Sequence, residues 1–100
     1  MAELRFRPRA RADILDIWLH IGAENPTAAD KVTDAIERRL QQLVGHPYSG
    51  LLREDIGQSI RHLVAGQYLA FYRVMPEFID VLRVLHGKRR IEPDDMNAGE

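Results

Sequence analysis

The hydrophobic pattern of this chain changes its period near Gly57, and that change constrains the fold more than any other feature. Between Pro8 and Leu43, apolar residues recur every three or four positions, which is typical of amphipathic helices. After Gly57, apolar and aromatic residues come in short segments separated by turn formers, which is typical of strands. A chain of 100 residues has room for one core. The helices and strands must therefore cover each other, and the pattern predicts a single α+β domain.

The first half of the chain contains one short strand and two helices. In the strand, Leu4 and Phe6 alternate with Arg5 and Arg7. The pattern stops at Pro8, where a helix starts that runs to about Gly22. A second helix starts at Asn25-Pro26, because asparagine caps free amides and proline suits the first helical position. Its apolar stripe continues to Leu43. Trp18 and Asp13 lie in the first helix, and we expect Trp18 to pack on the sheet and Asp13 to lie on the solvated side.

The second half contains a loop and three strands. The loop covers residues 45–58 and includes a run of turn formers. Strands are predicted at 60–65, 68–74 and 78–85, and their short connections make neighbours antiparallel. The result is a two-layer β-α-α-β-β-β fold, with a helical hairpin packed on an antiparallel sheet. We expect the core to hold most of the aromatic residues, namely Tyr48, Tyr68, Phe71, Tyr72 and Phe78.

The acidic residues are concentrated at the end of the chain. The formal net charge is −1, but residues 1–90 alone carry 14 basic and 11 acidic side chains, a net charge of +3. Residues 91–100 contain four acids, one proline and few apolar residues. We therefore predict one domain at 1–90, mildly basic, and a frayed acidic tail at 91–100.

Composition and motifs exclude several classes of function. The chain has no cysteine, which excludes disulfides and thiolate metal sites and favours a cytoplasmic protein. No apolar run approaches the length of a membrane span, so no membrane association is expected. The motifs of phosphate-binding loops, zinc hydrolases and serine hydrolases do not occur. The four histidines share no ligand spacing, so we expect no metal and no cofactor.

A set of basic residues on the last strands and just after them is the main candidate site. It could be an ordinary solvated sheet face, or it could hold RNA phosphates, stabilise a phosphate transition state or dock an acidic protein helix. The chemistry alone does not choose between these. The set consists of Arg61, Arg73, Arg83, His86, Lys88, Arg89 and Arg90.

Several short segments, taken in order, resemble the ParE branch of the bacterial RelE/ParE toxins over roughly residues 3–90. The fold derived above is also the fold of that family. The segments are ADILDIW at 12–18, NPTAA at 25–29, PYSG at 47–50, IRHLV at 60–64, YLAFYRV at 68–74 and VLRVLHGKRR at 81–90.

The resemblance implies the toxin of a type II toxin–antitoxin system, of the kind that serves plasmid stabilisation. Such a toxin is held inactive by a ParD-like antitoxin, which wraps it with a helix and an added strand. ParE toxins block DNA gyrase, whereas RelE toxins cut messenger RNA on the ribosome. The resemblance assigns no individual residue to the antitoxin interface.

Residues near the C-terminus favour the ParE branch. RelE-type cleavage uses basic residues, to which Arg61 and Arg89 correspond, and commonly a terminal tyrosine or histidine. The tyrosine position falls near Asp95, and no aromatic residue follows Phe78. We therefore expect no catalytic residue, no direct nucleic-acid binding, and a gyrase-binding surface made of the seven basic residues.

Two alternatives stay open. In the first, the protein is a ribosome-dependent endonuclease that uses Arg61, Arg73, His86 and Arg89, with His86 as the general acid or base. In the second, it is a non-toxic family member that acts only within an antitoxin complex.

Overall fold

Two helices pack on one face of a five-stranded sheet, which confirms the predicted two-layer α+β fold. The computed structural model describes residues 3–97, and no helix in that range is long and apolar enough to cross a membrane. The elements are β1 (Glu3–Phe6), α1 (Pro8–Gly22), α2 (Pro26–Gln41), a 3-10 turn (Gln42–Val44), β2 (Leu51–Leu52), β3 (Ile60–Ala65), β4 (Tyr68–Val74), β5 (Phe78–His86) and a second 3-10 turn (Pro93–Met96).

The helix boundaries follow the predicted signals. Pro8 and Pro26 occupy the first helical turns, and the side chain of Asn25 accepts a hydrogen bond from the Ala28 amide (3.0 Å). That bond satisfies one of the amides that a helix start leaves without a partner. α2 ends two residues before Leu43, which lies buried in the 3-10 turn instead.

The sheet has the order β1-β5-β4-β3-β2. β3, β4 and β5 form the predicted antiparallel meander, and Gly66 takes a positive φ of 60° in the β3–β4 turn. β1 pairs with β5 in parallel, so the sheet is mixed rather than wholly antiparallel. Because β3, β4 and β5 alternate in direction, β1 also runs parallel to β3 and antiparallel to β2, the strand in which the chain re-enters the sheet after the two helices.

The loop predicted at residues 45–58 contains a strand that the sequence did not reveal. β2 has only two residues, and it pairs antiparallel with β3, Leu51 opposite His62 and Leu52 opposite Arg61. Its position depends on Tyr72, whose buried hydroxyl donates to the Pro47 carbonyl (2.8 Å) and accepts from the Gly50 amide (2.9 Å). Two residues are too few to show a period, so this strand is set by tertiary contacts.

The sheet has an apolar cluster on each face. The cluster between sheet and helices includes Ile14, Ile36, Leu40, Tyr72 and Val81. On the opposite face, a second cluster is formed by Ile56, Ile60, Phe71, Leu82, Leu85 and Met96.

The predicted frayed tail is wrong for residues 91–97, which the structure describes as packed on that second cluster. Met96 is buried, and Ile91 packs at the edge of the cluster. A reciprocal pair of hydrogen bonds between Glu92 and Asp95 caps the 3-10 turn. Burial of one methionine and this cap order a segment whose composition is otherwise polar. Residues 98–100 lie outside the described range.

Several predicted side-chain positions change as well. Phe71 and Tyr72 are in the core as expected, but Tyr48 is 66% exposed. Trp18 does not pack on the sheet: it is 36% exposed, and its indole N–H donates to Asp30 of α2 (2.8 Å). Successive residues of a helix are rotated by about 100°. Because the neighbouring Ile17 is buried, Trp18 lies to one side of the buried face of α1, next to the second helix.

Candidate functional site

The seven basic residues singled out in the sequence do not form one surface. They fall into three groups: Arg61 and Arg73 beside the loop that contains β2, Arg83 in the interior, and the rest at the turn after β5. That turn, residues 86–90, is called the basic turn below.

Arg61 and Arg73 hold the loop in place. One guanidinium nitrogen of Arg61 donates to the carbonyls of Gly50 (2.8 Å) and Tyr48 (3.2 Å), and the same group lies 5.2 Å from the centre of the Tyr48 ring. Arg73 donates to the Gln58 carbonyl (3.1 Å). Both arginines therefore satisfy backbone carbonyls of a loop that has little regular structure of its own.

Arg83 is buried and cannot touch a partner, so its assignment to the target-binding surface is wrong. It is 3% exposed, and its guanidinium donates twice to the Asp13 carboxylate (2.7 and 2.9 Å) and once to the Asp95 carbonyl (2.9 Å). These bonds with Asp13 raise the pKa of Arg83 above its ordinary value.

The expectation that Asp13 lies on the solvated side of α1 is wrong. Asp13 is buried, and its carboxylate is the hydrogen-bond acceptor for a backbone amide of β5. β1 ends at Phe6, opposite Val81, so the Val84 amide has no strand partner on that side. The Asp13 carboxylate accepts a hydrogen bond from this amide (2.9 Å) and also pairs with the Arg83 guanidinium. The pair thus joins α1, β5 and the C-terminal segment.

The basic turn is the exposed part of the predicted set. Lys88, Arg89 and Arg90 are all exposed. Arg89 donates to Asp95 (2.6 Å), and Arg90 lies 2.7 Å from a Glu92 carboxylate oxygen, with 89% of its side chain exposed. Exposed ion pairs of this kind contribute little to stability, so these cations can exchange partners readily.

Both nitrogens of His86 are already engaged. Its Nδ1 accepts the backbone amide of Lys88 (3.0 Å), which requires an unprotonated Nδ1. Its Nε2 lies 3.2 Å from the Gln67 side-chain oxygen, so this nitrogen carries the proton in the neutral ring. The ring also packs edge-on against Tyr68, with 5.3 Å between centroids. These contacts hold His86 as part of the turn rather than presenting it to a substrate.

The four residues of the nuclease alternative lie at opposite ends of the strands. His86 pairs with Tyr68 at the start of β4, whereas Arg73 is near the end of β4 and Arg61 pairs with Tyr72. At about 3.3 Å per residue, five positions along β4 separate these ends by roughly 17 Å. One scissile phosphate cannot contact both ends. Between these two ends, the sheet face opposite the helices is covered by the second apolar cluster and by residues 91–97.

One cluster of polar side chains, formed by Arg53, Asp55 and His62, was not predicted from the sequence. Arg53 contacts His62 Nδ1 (2.9 Å) and donates to both oxygens of Asp55 (2.9 Å each). Burial, and then the charge of Arg53, lowers the pKa of His62; the hydrogen bond from Arg53 lowers the pKa of Asp55. Only the β2–β3 pairing brings Arg53 to His62, so no spacing in the sequence could have indicated it.

No group of three or more metal-ligating side chains occurs among residues 3–97.

Comparison with known proteins adds three findings. The family model described as "ParE toxin of type II toxin-antitoxin system, parDE" matches residues 4–91. A protein of Caulobacter vibrioides named Toxin RelE3 is 31% identical over 94 residues, covering 90% of this chain and 99% of that protein. A solved structure titled "Chromosomal ParDE TA system from P. aeruginosa" superposes with a TM-score of 0.76 at 25% identity, covering 86% of this chain and 96% of the other.

Proposed function

Because this chain belongs to the ParE toxin family of type II toxin–antitoxin systems, we propose that it inhibits DNA gyrase by direct binding and is neutralised by a ParD-like antitoxin. Gyrase inhibition of this kind needs a binding surface and no catalytic residue. The basic turn, residues 86–90, is the surface that we assign to the target.

The single observation that carries this proposal is the exposure of the basic turn. Just after the end of β5 at His86, the basic turn exposes three cationic side chains, those of Lys88, Arg89 and Arg90. Arg89 pairs with Asp95 and Arg90 with Glu92, both in the neighbouring segment, and these pairs leave most of the Arg90 side chain in solvent. Such a surface favours fast association with an acidic protein surface.

The test is a supercoiling assay with purified gyrase. The double charge reversal Lys88→Glu/Arg90→Glu should abolish inhibition, because it replaces two attractive contacts by repulsive ones. The matched control is Arg9→Glu/Arg38→Glu, which changes the net charge equally on exposed helix positions. Circular dichroism and thermal unfolding of both variants show whether the fold is kept. Full inhibition by a folded Lys88→Glu/Arg90→Glu protein contradicts the assignment.

A second candidate function is messenger-RNA cleavage on the ribosome, which the name of the 31% identical relative, Toxin RelE3, favours. In that function His86 is the general acid or base. Its engaged nitrogens, and the distance that separates it from Arg61 and Arg73, count against the role. Translating ribosomes with the wild type and with His86→Ala decide the question. Cleavage by the wild type that is lost in the variant establishes the nuclease, and gyrase inhibition without cleavage excludes it.

Expression of the chain without an antitoxin separates a toxin from a non-toxic family member. Growth arrest that is relieved by co-expression of a ParD-like antitoxin supports the proposed pair. Normal growth with abundant folded protein contradicts the proposal.

A further inference from the structure

A small cavity lies between the loop that contains β2 and the adjoining ends of β3 and β4. Its volume is about 280 Å³, and it is called the loop cavity below. Binding sites for drug-sized ligands usually have roughly 300–1,000 Å³, so this cavity suits a smaller molecule. No residue of α1 or α2 contributes to it, and its lining consists of Tyr48, Leu52, Glu54, Ser59, Arg61 and Val74.

The strand pairing explains why these side chains meet on one face of the sheet. Arg61 lies directly opposite Leu52 of β2 and directly opposite Tyr72 of β4. Residues that are directly paired have their side chains on the same face, and so have residues two positions apart in one strand. Val74, two residues after Tyr72, therefore joins Arg61 and Leu52, whereas Leu51 lies on the other face.

Arg61 keeps one edge of its guanidinium without a partner in the range 3–97. Its Nη1 donates to two carbonyls of the loop, but its Nε and Nη2 make no hydrogen bond and no ion pair with any residue of that range. Arg53 and Arg83 each use these same two nitrogens to bind an aspartate carboxylate. Such paired hydrogen bonds are among the strongest that a side chain makes, so Arg61 retains the capacity to bind a carboxylate from outside the chain.

Glu54 places a negative charge on the same cavity. Its carboxylate accepts a hydrogen bond from the Ser59 amide (3.2 Å) and forms no ion pair, with Arg61 or with any other residue from 3 to 97. Ser59 takes a φ of 60°, a conformation that residues with a Cβ rarely adopt and that occurs preferentially at functional sites. The loop cavity therefore holds a cation and an anion apart, and each can make further hydrogen bonds.

The rest of the lining is apolar and is left largely in solvent. Tyr48 is 66% exposed and Leu52 is 44% exposed, and both border the cavity together with Val74. A ligand that covers this surface gains free energy from its own apolar part.

We propose that the loop cavity binds a free α-amino acid with an apolar side chain. Arg61 binds the carboxylate through Nε and Nη2, and Glu54 binds the ammonium group on the same carbon. Leu52, Val74 and the ring of Tyr48 contact the side chain of the ligand. A phosphate fits less well, because the Glu54 carboxylate would repel it. No residue of the basic turn lines the cavity, so this inference does not depend on the gyrase proposal.

The experiment titrates the isotope-labelled full chain with L-leucine and follows its amide signals by NMR. Two matched compounds keep the leucine side chain but lack one charge each: isocaproate has no amino group, and isoamylamine has no carboxylate. Both should bind at least about tenfold more weakly than L-leucine, because each leaves one charged group of the site without its partner. The amides that shift should be those around the loop cavity.

Two pairs of variants locate the site. Glu54→Gln removes the charge but keeps a carbonyl oxygen for the Ser59 amide, and it should weaken L-leucine binding by about tenfold while changing isocaproate binding little. Its control, Glu37→Gln, makes the same change at an exposed position of α2 and should leave the affinity within about twofold. Leu52→Ala should weaken binding by about threefold or more, whereas Leu51→Ala, on the other face of β2, should not. Thermal unfolding confirms that all four proteins fold.

Equal binding of L-leucine and isocaproate, or equal effects of Glu54→Gln and Glu37→Gln, would overturn the proposal. So would signals that shift only at the basic turn, or a lack of saturation by L-leucine below about 10 mM. A mononucleotide that binds in a Glu54-dependent manner when L-leucine does not would overturn it as well, and would identify the loop cavity as a nucleotide site.

Discussion

Replacing Asp13 with alanine should remove a large part of the stability of this fold, because its carboxylate accepts three hydrogen bonds in the interior. It accepts two hydrogen bonds from Arg83 and one from the Val84 amide, at 2.7 to 2.9 Å. Alanine leaves the guanidinium buried with only the Asp95 carbonyl as a partner. It also leaves an amide at the edge of β5 without an acceptor.

The magnitude follows from the burial of the pair. The side chains of Arg83 and Asp13 are 3% and 10% exposed, so solvent screens their interaction little. Breaking a buried ion pair by removing one partner costs about 3–5 kcal/mol. For a domain of about 100 residues this lowers Tm by roughly 15–25 °C. Domains of this size have a free energy of unfolding of about 5–15 kcal/mol, so the variant should be marginally stable.

Urea denaturation followed by circular dichroism measures the loss. The control is Asp16→Ala, which removes an exposed carboxylate from the same helix and should change the free energy of unfolding by less than about 0.5 kcal/mol. The double variant Asp13→Leu/Arg83→Met should recover much of the loss, because apolar residues of similar size can replace a buried pair. A loss below about 1 kcal/mol in Asp13→Ala would refute the reasoning.

Three further predictions concern the C-terminal segment, the loop and the pH dependence of stability. Met96→Ala should lower the free energy of unfolding, measured by urea denaturation, by about 2–4 kcal/mol, because it leaves a cavity in the second apolar cluster. An unchanged free energy of unfolding would mean that residues 91–97 do not pack on that cluster in solution. Gly50→Ala should cost about 1–3 kcal/mol, since its Cβ would lie 2.5 Å from the Tyr72 hydroxyl, whereas Gly45→Ala meets nothing closer than 4.0 Å and should be near neutral in the same measurement. Burial and the neighbouring Arg53 guanidinium hold the pKa of His62 below its ordinary value of 6.5. As the pH falls below about 6.5, His62 is therefore protonated more readily in the unfolded chain than in the folded protein, and the free energy of unfolding decreases. Between pH 7.5 and 5, Tm should fall less in the His62→Gln variant than in the wild type. Identical pH profiles of Tm would contradict the lowered pKa of His62.

The sequence predicted the helices and the long strands because their patterns are local. Pro8, Asn25 and Gly66 act on the backbone within a few residues, and the apolar stripes need only one partner layer. The same reasoning could not find β2 or the parallel direction of β1 in the sheet. A two-residue strand has no period, and pairing across a crossover depends on which edge of the sheet the chain reaches.

The candidate site was predicted less well, because charge in a sequence carries no information on burial. Arg83 and Arg89 belong to one basic run, yet one is enclosed by Asp13 and the other is exposed. The tail looked solvated from its acids alone, although Met96 fills the second cluster. The exposed basic turn is the part of the predicted surface that the structure leaves accessible.

The sequence by itself determined the class of this domain and, through the order of its segments, its family, since hydrophobic period and turn chemistry act over short distances. Only the tertiary structure decided which charges are structural. Asp13 and Arg83 are 70 residues apart, and Arg53 reaches His62 only through the pairing of β2 with β3. Whether a charge is buried, paired or free depends on what the rest of the chain places around it, and that is a property of the packed molecule.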